Sequence, residues 1–100
     1  MKYIIGESRL NDMVYKFLMD QLGTYKKSEI KDGPIIGKFF NDGKITATIF
    51  KHMNQIIDVS INTGVLMSTM GMFSLSKKEL SNILTDKWSH ITGGKTIIIN

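Results

Sequence analysis

The stretch GKFFNDGKITATIF, residues 37–50, decides how this chain is read. Two runs of period-two alternation flank Asn41-Asp42-Gly43. Before it, Ile36, Lys38 and Phe40 alternate with Ile35, Gly37 and Phe39. After it, Ile45, Ala47 and Ile49 alternate with Thr46, Thr48 and Phe50. Asn, Asp and Gly tolerate the positive φ of a tight turn, so the pattern predicts a β-hairpin. A third strand follows, with Ile57, Val59 and Ile61 on one face and Asp58, Ser60 and Asn62 on the other. The three together read as an antiparallel meander with one apolar face.

An apolar sheet face needs a cover, and helices are predicted on both sides of the meander. Leu10, Met13, Val14, Phe17, Leu18 and Leu22 form one apolar stripe at helical spacing. Ser8 is its expected N-cap, Gly23 its expected stop, and Asp12–Lys16 an i,i+4 ion pair. Residues 2–5 suit a short strand, and the charged stretch from Thr24 to Pro34 reads as a loop.

Downstream, VLMSTMGMFSLS (65–76) places Leu66, Met70 and Phe73 at helical spacing behind a possible cap at Asn62. Gly64 and Gly71 weaken that helix by about 1 kcal/mol each relative to alanine, so it is expected to be short and imperfect. Ser76 and Glu79 match a capping box ahead of Leu80, Ile83, Leu84, Trp88 and Ile91. That helix is predicted to run to about His90 and to end at Gly93-Gly94, with a final strand over Lys95–Ile99. The expected fold is α+β: a small antiparallel sheet of three to five strands with two or three helices packed on one face, a single domain over residues 1–100.

Composition narrows the functional classes. One hundred residues with 42% apolar and 22% charged content suit one globular domain. The absence of cysteine excludes disulfides, zinc thiolates and thiol nucleophiles. No apolar run reaches membrane-span length, and MKYIIG is far short of a signal peptide, so a cytoplasmic location is expected. The net charge of +4 comes from twelve lysines and Arg9 against nine acids. A single arginine argues against sequence-specific DNA reading, which relies on bidentate guanidinium contacts.

The opening MKYIIGESRLNDMVYKFL, the β-meander and the later MFSLSKKELSNILTDKW resemble a group of small uncharacterised proteins of tailed bacteriophages and related environmental sequences. The matching positions are Tyr3, Ile4, Ile5, Leu10, Val14, Lys16, Leu18, Phe73, Leu75 and Trp88. The resemblance implies a phage-type origin, a shared fold and the host cytoplasm as setting. It implies no activity, so no functional residue is carried over.

Motifs that carry chemistry are few. GGKT (93–96) has the ending of a phosphate-binding loop but lacks the upstream glycine and the following helix, so it reads as a helix stop. Asp86 and His90 have chelating spacing but no third ligand, and no metal or other cofactor is expected. His52, Asp58 and a serine lack any nucleophile elbow, so no catalytic residue is assigned. Two surfaces remain. Met67 and Met72, with Val65, form an expected apolar patch suited to a protein partner or a second copy of the chain. This makes a non-enzymatic accessory protein acting by protein binding the leading expectation. The alternative is weak, non-specific nucleic-acid binding by the lysine-bearing hairpin, through Lys38, Lys44, Phe50 and Lys51.

Overall fold

The turn at the centre of the hairpin forms as its residues dictate. Asp42 and Gly43 adopt φ of 56° and 76°, and Asn41 pairs with Lys44 across them. Two successive left-handed residues match the right-handed twist of the flanking strands. The computed structural model describes residues 7–30, 33–53 and 56–100. The strand expected at residues 2–5 lies outside them, as does the side chain of His52.

The chain runs α1 (Glu7–Leu22), β1 (Thr24–Lys27), β2 (Ile35–Asn41), β3 (Lys44–Met53), β4 (Ile56–Ile61), α2 (Thr63–Phe73), α3 (Lys77–Lys87), α4 (Ser89–Thr92), β5 (Thr96–Ile99). The strands form one sheet in the order β1-β2-β3-β4-β5. The first four pair antiparallel, while β5 lies parallel to β4. The α+β class therefore stands with a mixed sheet, because α2, α3 and α4 carry the chain back before β5 enters.

Several local expectations change. Thr24–Lys27, read as loop, is an edge strand paired with Gly37–Phe40. Its charges mask it in the sequence, and lysines on a short edge strand discourage edge-to-edge association. Ser8 lies inside α1 and is not its cap. Asp12 reaches across to Lys87 of α3, so its ion pair is long-range. The last long helix stops at Lys87, where Trp88 breaks it before α4. Asn62 does cap α2, accepting from the Gly64 and Val65 amides, and the Ser76–Glu79 capping box is complete.

Phe39, Ala47, Ile49, Ile57, Val59, Ile97 and Ile99 are buried on one face of the sheet, against Val14, Leu18 and Leu22 of α1 and Leu80, Ile83 and Leu84 of α3. Two interruptions of the alternation fall in the β2–β3 pair, and a third lies between Lys51 and Met53 of β3. Ile36 and Thr46 are each extra residues, β-bulges that turn adjacent residues toward one face. The second bulge sends the Thr46 hydroxyl inward, where it donates to the Leu22 carbonyl at 2.6 Å and ties off the C-terminus of α1. Gly23 completes that junction at φ 86°; a Cβ there would meet the Phe40 carbonyl oxygen at 2.2 Å. At the far edge, the amides of Ile97 and Ile99 donate to the Thr85 and Ser81 hydroxyls of α3, which closes the outer side of β5.

Trp88 joins these layers. Its ring stacks on Phe39 with centroids 5.2 Å apart, and its indole N–H donates to the Tyr15 hydroxyl of α1. Trp88→Ala should cost about 3–5 kcal/mol, most of the stability of a domain this small. Gly71 of α2 has a helical φ and nothing within 4 Å of the position a Cβ would take. Gly71→Ala should therefore raise stability by about 1 kcal/mol. Chemical denaturation checks both, and a destabilised Gly71→Ala would contradict this packing.

Candidate binding surfaces

Strand register sorts the side chains that the core does not use. On the face opposite the helices, Lys26, Lys38, Thr48 and Ser60 are aligned across β1 to β4. On one side of this polar row lies Ile35-Phe50-Asp58-Ile98, running from β2 to β5. On the other lie Phe40 and Ile45, which face each other across the β2–β3 pair. Phe40 and Phe50 stand on neighbouring strands, separated by the lysine row and roughly 13 Å along the strand direction. Among the described residues no helix covers this face, and Ile45 and Ile98 are 49% and 43% exposed.

The outer face continues into a cleft of about 390 Å³ beside the chain that links β1 to β2. Lys26, Lys27, Lys38 and Phe40 line it, with Ile30 and Pro34 on its far wall and Glu29 as its acid. Lys26 and Lys38 are direct cross-strand partners. Like charges in that position are destabilising, and an anion placed between them relieves the repulsion.

The structure thus brings together two of the four residues expected for nucleic-acid contact. Lys38 and Phe50 share the outer face. Lys51 pairs with Ile57, a helix-side residue, and Lys44 sits at the hairpin turn, so neither belongs to the platform. Lys26 takes their place. It escaped the sequence reading because β1 was read as a loop; the Tyr25–Lys27 alternation is too short to reveal a strand.

The second expected surface is split. Met67 and Met72 are 61% and 62% exposed, whereas Val65 is half-buried against the core. Five residues on a helix correspond to about 140° around the axis, so the two methionines flank opposite sides of the exposed face. Gly64, Ser68 and Gly71 lie between them. The expected exposure of Met67 and Met72 is present, but they are set apart on the helix, and Val65 is only half exposed.

The other motifs stay structural. Gly93 and Gly94 adopt φ of 71° and 83° and lead into strand β5, so no helix N-terminus follows to hold a phosphate. Asp86 and His90 lie on different helices on either side of Trp88. No group of three or more His, Cys, Asp or Glu able to hold a metal occurs among the described residues. No helix there is long and apolar enough to cross a membrane. No family model, curated protein or solved structure matches the chain.

Among the described residues, two groups on the helix side titrate away from their ordinary values. Burial pushes the Tyr25 hydroxyl up, and the hydrogen bond to Asp12 raises Lys87. In both cases the folded state holds its proton more tightly than the unfolded chain. Their stabilisation is therefore complete below about pH 10 and declines as pH rises through the folded values. Thermal unfolding followed between neutral and alkaline pH should show this loss, and Tyr25→Phe should make it shallower. An unchanged alkaline slope in Tyr25→Phe would contradict the assignment to Tyr25.

Proposed function

We propose that this is a non-enzymatic binding protein whose working surface is the open face of the sheet, and that it takes single-stranded nucleic acid without sequence preference. The observation that carries the reading is the lysine row Lys26–Lys38 set between Phe40 and Phe50 on a face the helices leave open. Aromatic rings stack on bases of any identity, and lysines track phosphates without reading base edges. The net charge of +4 and the single arginine fit weak, salt-sensitive binding. A protein of this kind would act in the cytoplasm, and the resemblance to phage proteins suggests a host cell as its setting.

A second reading rests on α2. Its sequence, TGVLMSTMGMF, carries no charge, and two of its methionines are more than half exposed. Such a helix suits contact with another protein, although the separation of Met67 from Met72 makes the contact small.

Fluorescence anisotropy with a labelled oligothymidylate tests the first reading. Binding should appear at low salt, with log K falling against log salt at a slope of about −1.4 if Lys26 and Lys38 each engage one phosphate. Phe40→Ala and Phe50→Ala should each weaken binding roughly five- to hundredfold, as expected for loss of one stacked base. Lys26→Glu with Lys38→Glu should abolish it while the circular dichroism spectrum is unchanged. No binding by the native protein at low salt would overturn the reading.

A further inference from the structure

A second cleft, of about 320 Å³, opens on the helix side of the sheet, between the β1–β2 edge and α1 and α4. Its existence follows from the bulge in β2. The extra residue turns Ile36 to the same side as Gly37, and Gly37 has no side chain. The Tyr25 ring occupies that space: a Cβ on Gly37 would lie 2.3 Å from the Tyr25 hydroxyl oxygen. Tyr25 then leans on Phe39 at 5.1 Å between centroids, and Phe39 in turn stacks on Trp88. The floor is thus aromatic, and Met19, Ile36 and Ile91 supply aliphatic walls.

Each polar side chain at this cleft can donate a hydrogen bond. Lys27 and His90 line it, and among the described residues no acidic side chain does. The Tyr15 oxygen already accepts the Trp88 indole N–H at 3.2 Å, which leaves its own hydrogen free to donate. Tyr25 keeps its proton, since burial raises its pKa. Lys87, 5.9 Å above the Tyr15 ring, is ion-paired with Asp12, so Lys27 is the cation that the cleft offers a ligand. An apolar pocket of this size with a few convergent polar groups is the usual form of a small-molecule site. Here the polar groups select an anion.

We propose that this cleft binds a small apolar carboxylate, its hydrocarbon part lying on Phe39 between Ile36 and Ile91 and its head group meeting Lys27 and the Tyr15 and Tyr25 hydroxyls. The site is on the opposite side of the sheet from the lysine row and does not depend on the nucleic-acid reading.

Trp88 is the chain's single tryptophan, and it touches two of the pocket's walls, Phe39 and Tyr15, so its emission reports occupancy. Octanoate, octanol and octylammonium, none of which absorbs in the tryptophan region, are titrated into the full chain below their micellar concentrations. Octanoate should give a saturable change, octanol should bind about tenfold more weakly for lack of a charge-assisted contact, and octylammonium should not bind. Lys27→Met, at an exposed strand position, should reduce octanoate affinity to that of octanol. Ile36→Phe, which fills the cleft, should abolish binding. An absent or non-saturable octanoate response overturns the proposal, as does equal affinity for all three compounds. Lys27 also borders the outer cleft, whereas Ile36 borders only this one. Loss in Lys27→Met with full binding retained in Ile36→Phe would place the ligand on the outer face and overturn the assignment.

Discussion

The stack of Trp88 on Phe39 is the contact on which the other layers depend. It sits where α3 gives way to α4, and it presses the largest buried side chain of the protein onto the middle of β2. Its N–H draws in α1 through Tyr15, while the Asp12–Lys87 ion pair ties the same two helices one position earlier in the chain. A buried indole needs a partner for its single donor, and the tyrosine hydroxyl is suited because it can accept and still donate. Three helical segments and the sheet thus meet around one ring. Among the described residues no buried side-chain polar atom is left without a partner.

This arrangement makes the two faces of the sheet unequal. Both long helices with apolar stripes lie on the Phe39 side, so the alternation that buries Ile49 and Val59 turns the half-buried Thr48 and the exposed Ser60 to the other face. The solvated face of an antiparallel sheet is usually mostly polar. This one keeps Phe40, Ile45, Phe50 and Ile98 around a row led by two opposed lysines. Apolar side chains and directly opposed like charges on one surface both cost stability, and a ligand with flat apolar groups and negative charge would relieve both. That is the physical case for locating function on this face and not on α2, whose exposed methionines are divided by glycine and serine.

Much of the fold was legible in the sequence because its signals are local. Asn41-Asp42-Gly43 specified the turn by conformational preference, Asn62 and Ser76 specified helix starts by hydrogen bonding, and Ile57, Val59 and Ile61 showed their common face by period alone. What escaped depends on distant residues. β1 is a strand only because β2 pairs with it, and β5 is parallel only because three helices intervene. The bulges at Ile36 and Thr46 exist to meet Tyr25 and the end of α1, and no period reveals them. The binding surfaces inherit these gaps. Lys38 and Phe50 were visible on strands already recognised, whereas Lys26 was hidden with β1, and the helix-side cleft is created by a bulge.

On the proposed function, the open face of the sheet is the surface that meets single-stranded nucleic acid. The most direct test is an amide NMR titration of isotopically labelled protein with a short single-stranded oligonucleotide at low salt. Shifts should concentrate at Lys26, Lys38, Phe40, Thr48 and Phe50, with the helices unperturbed. Shifts confined to α2, or no shifts at saturating oligonucleotide, would contradict the proposal.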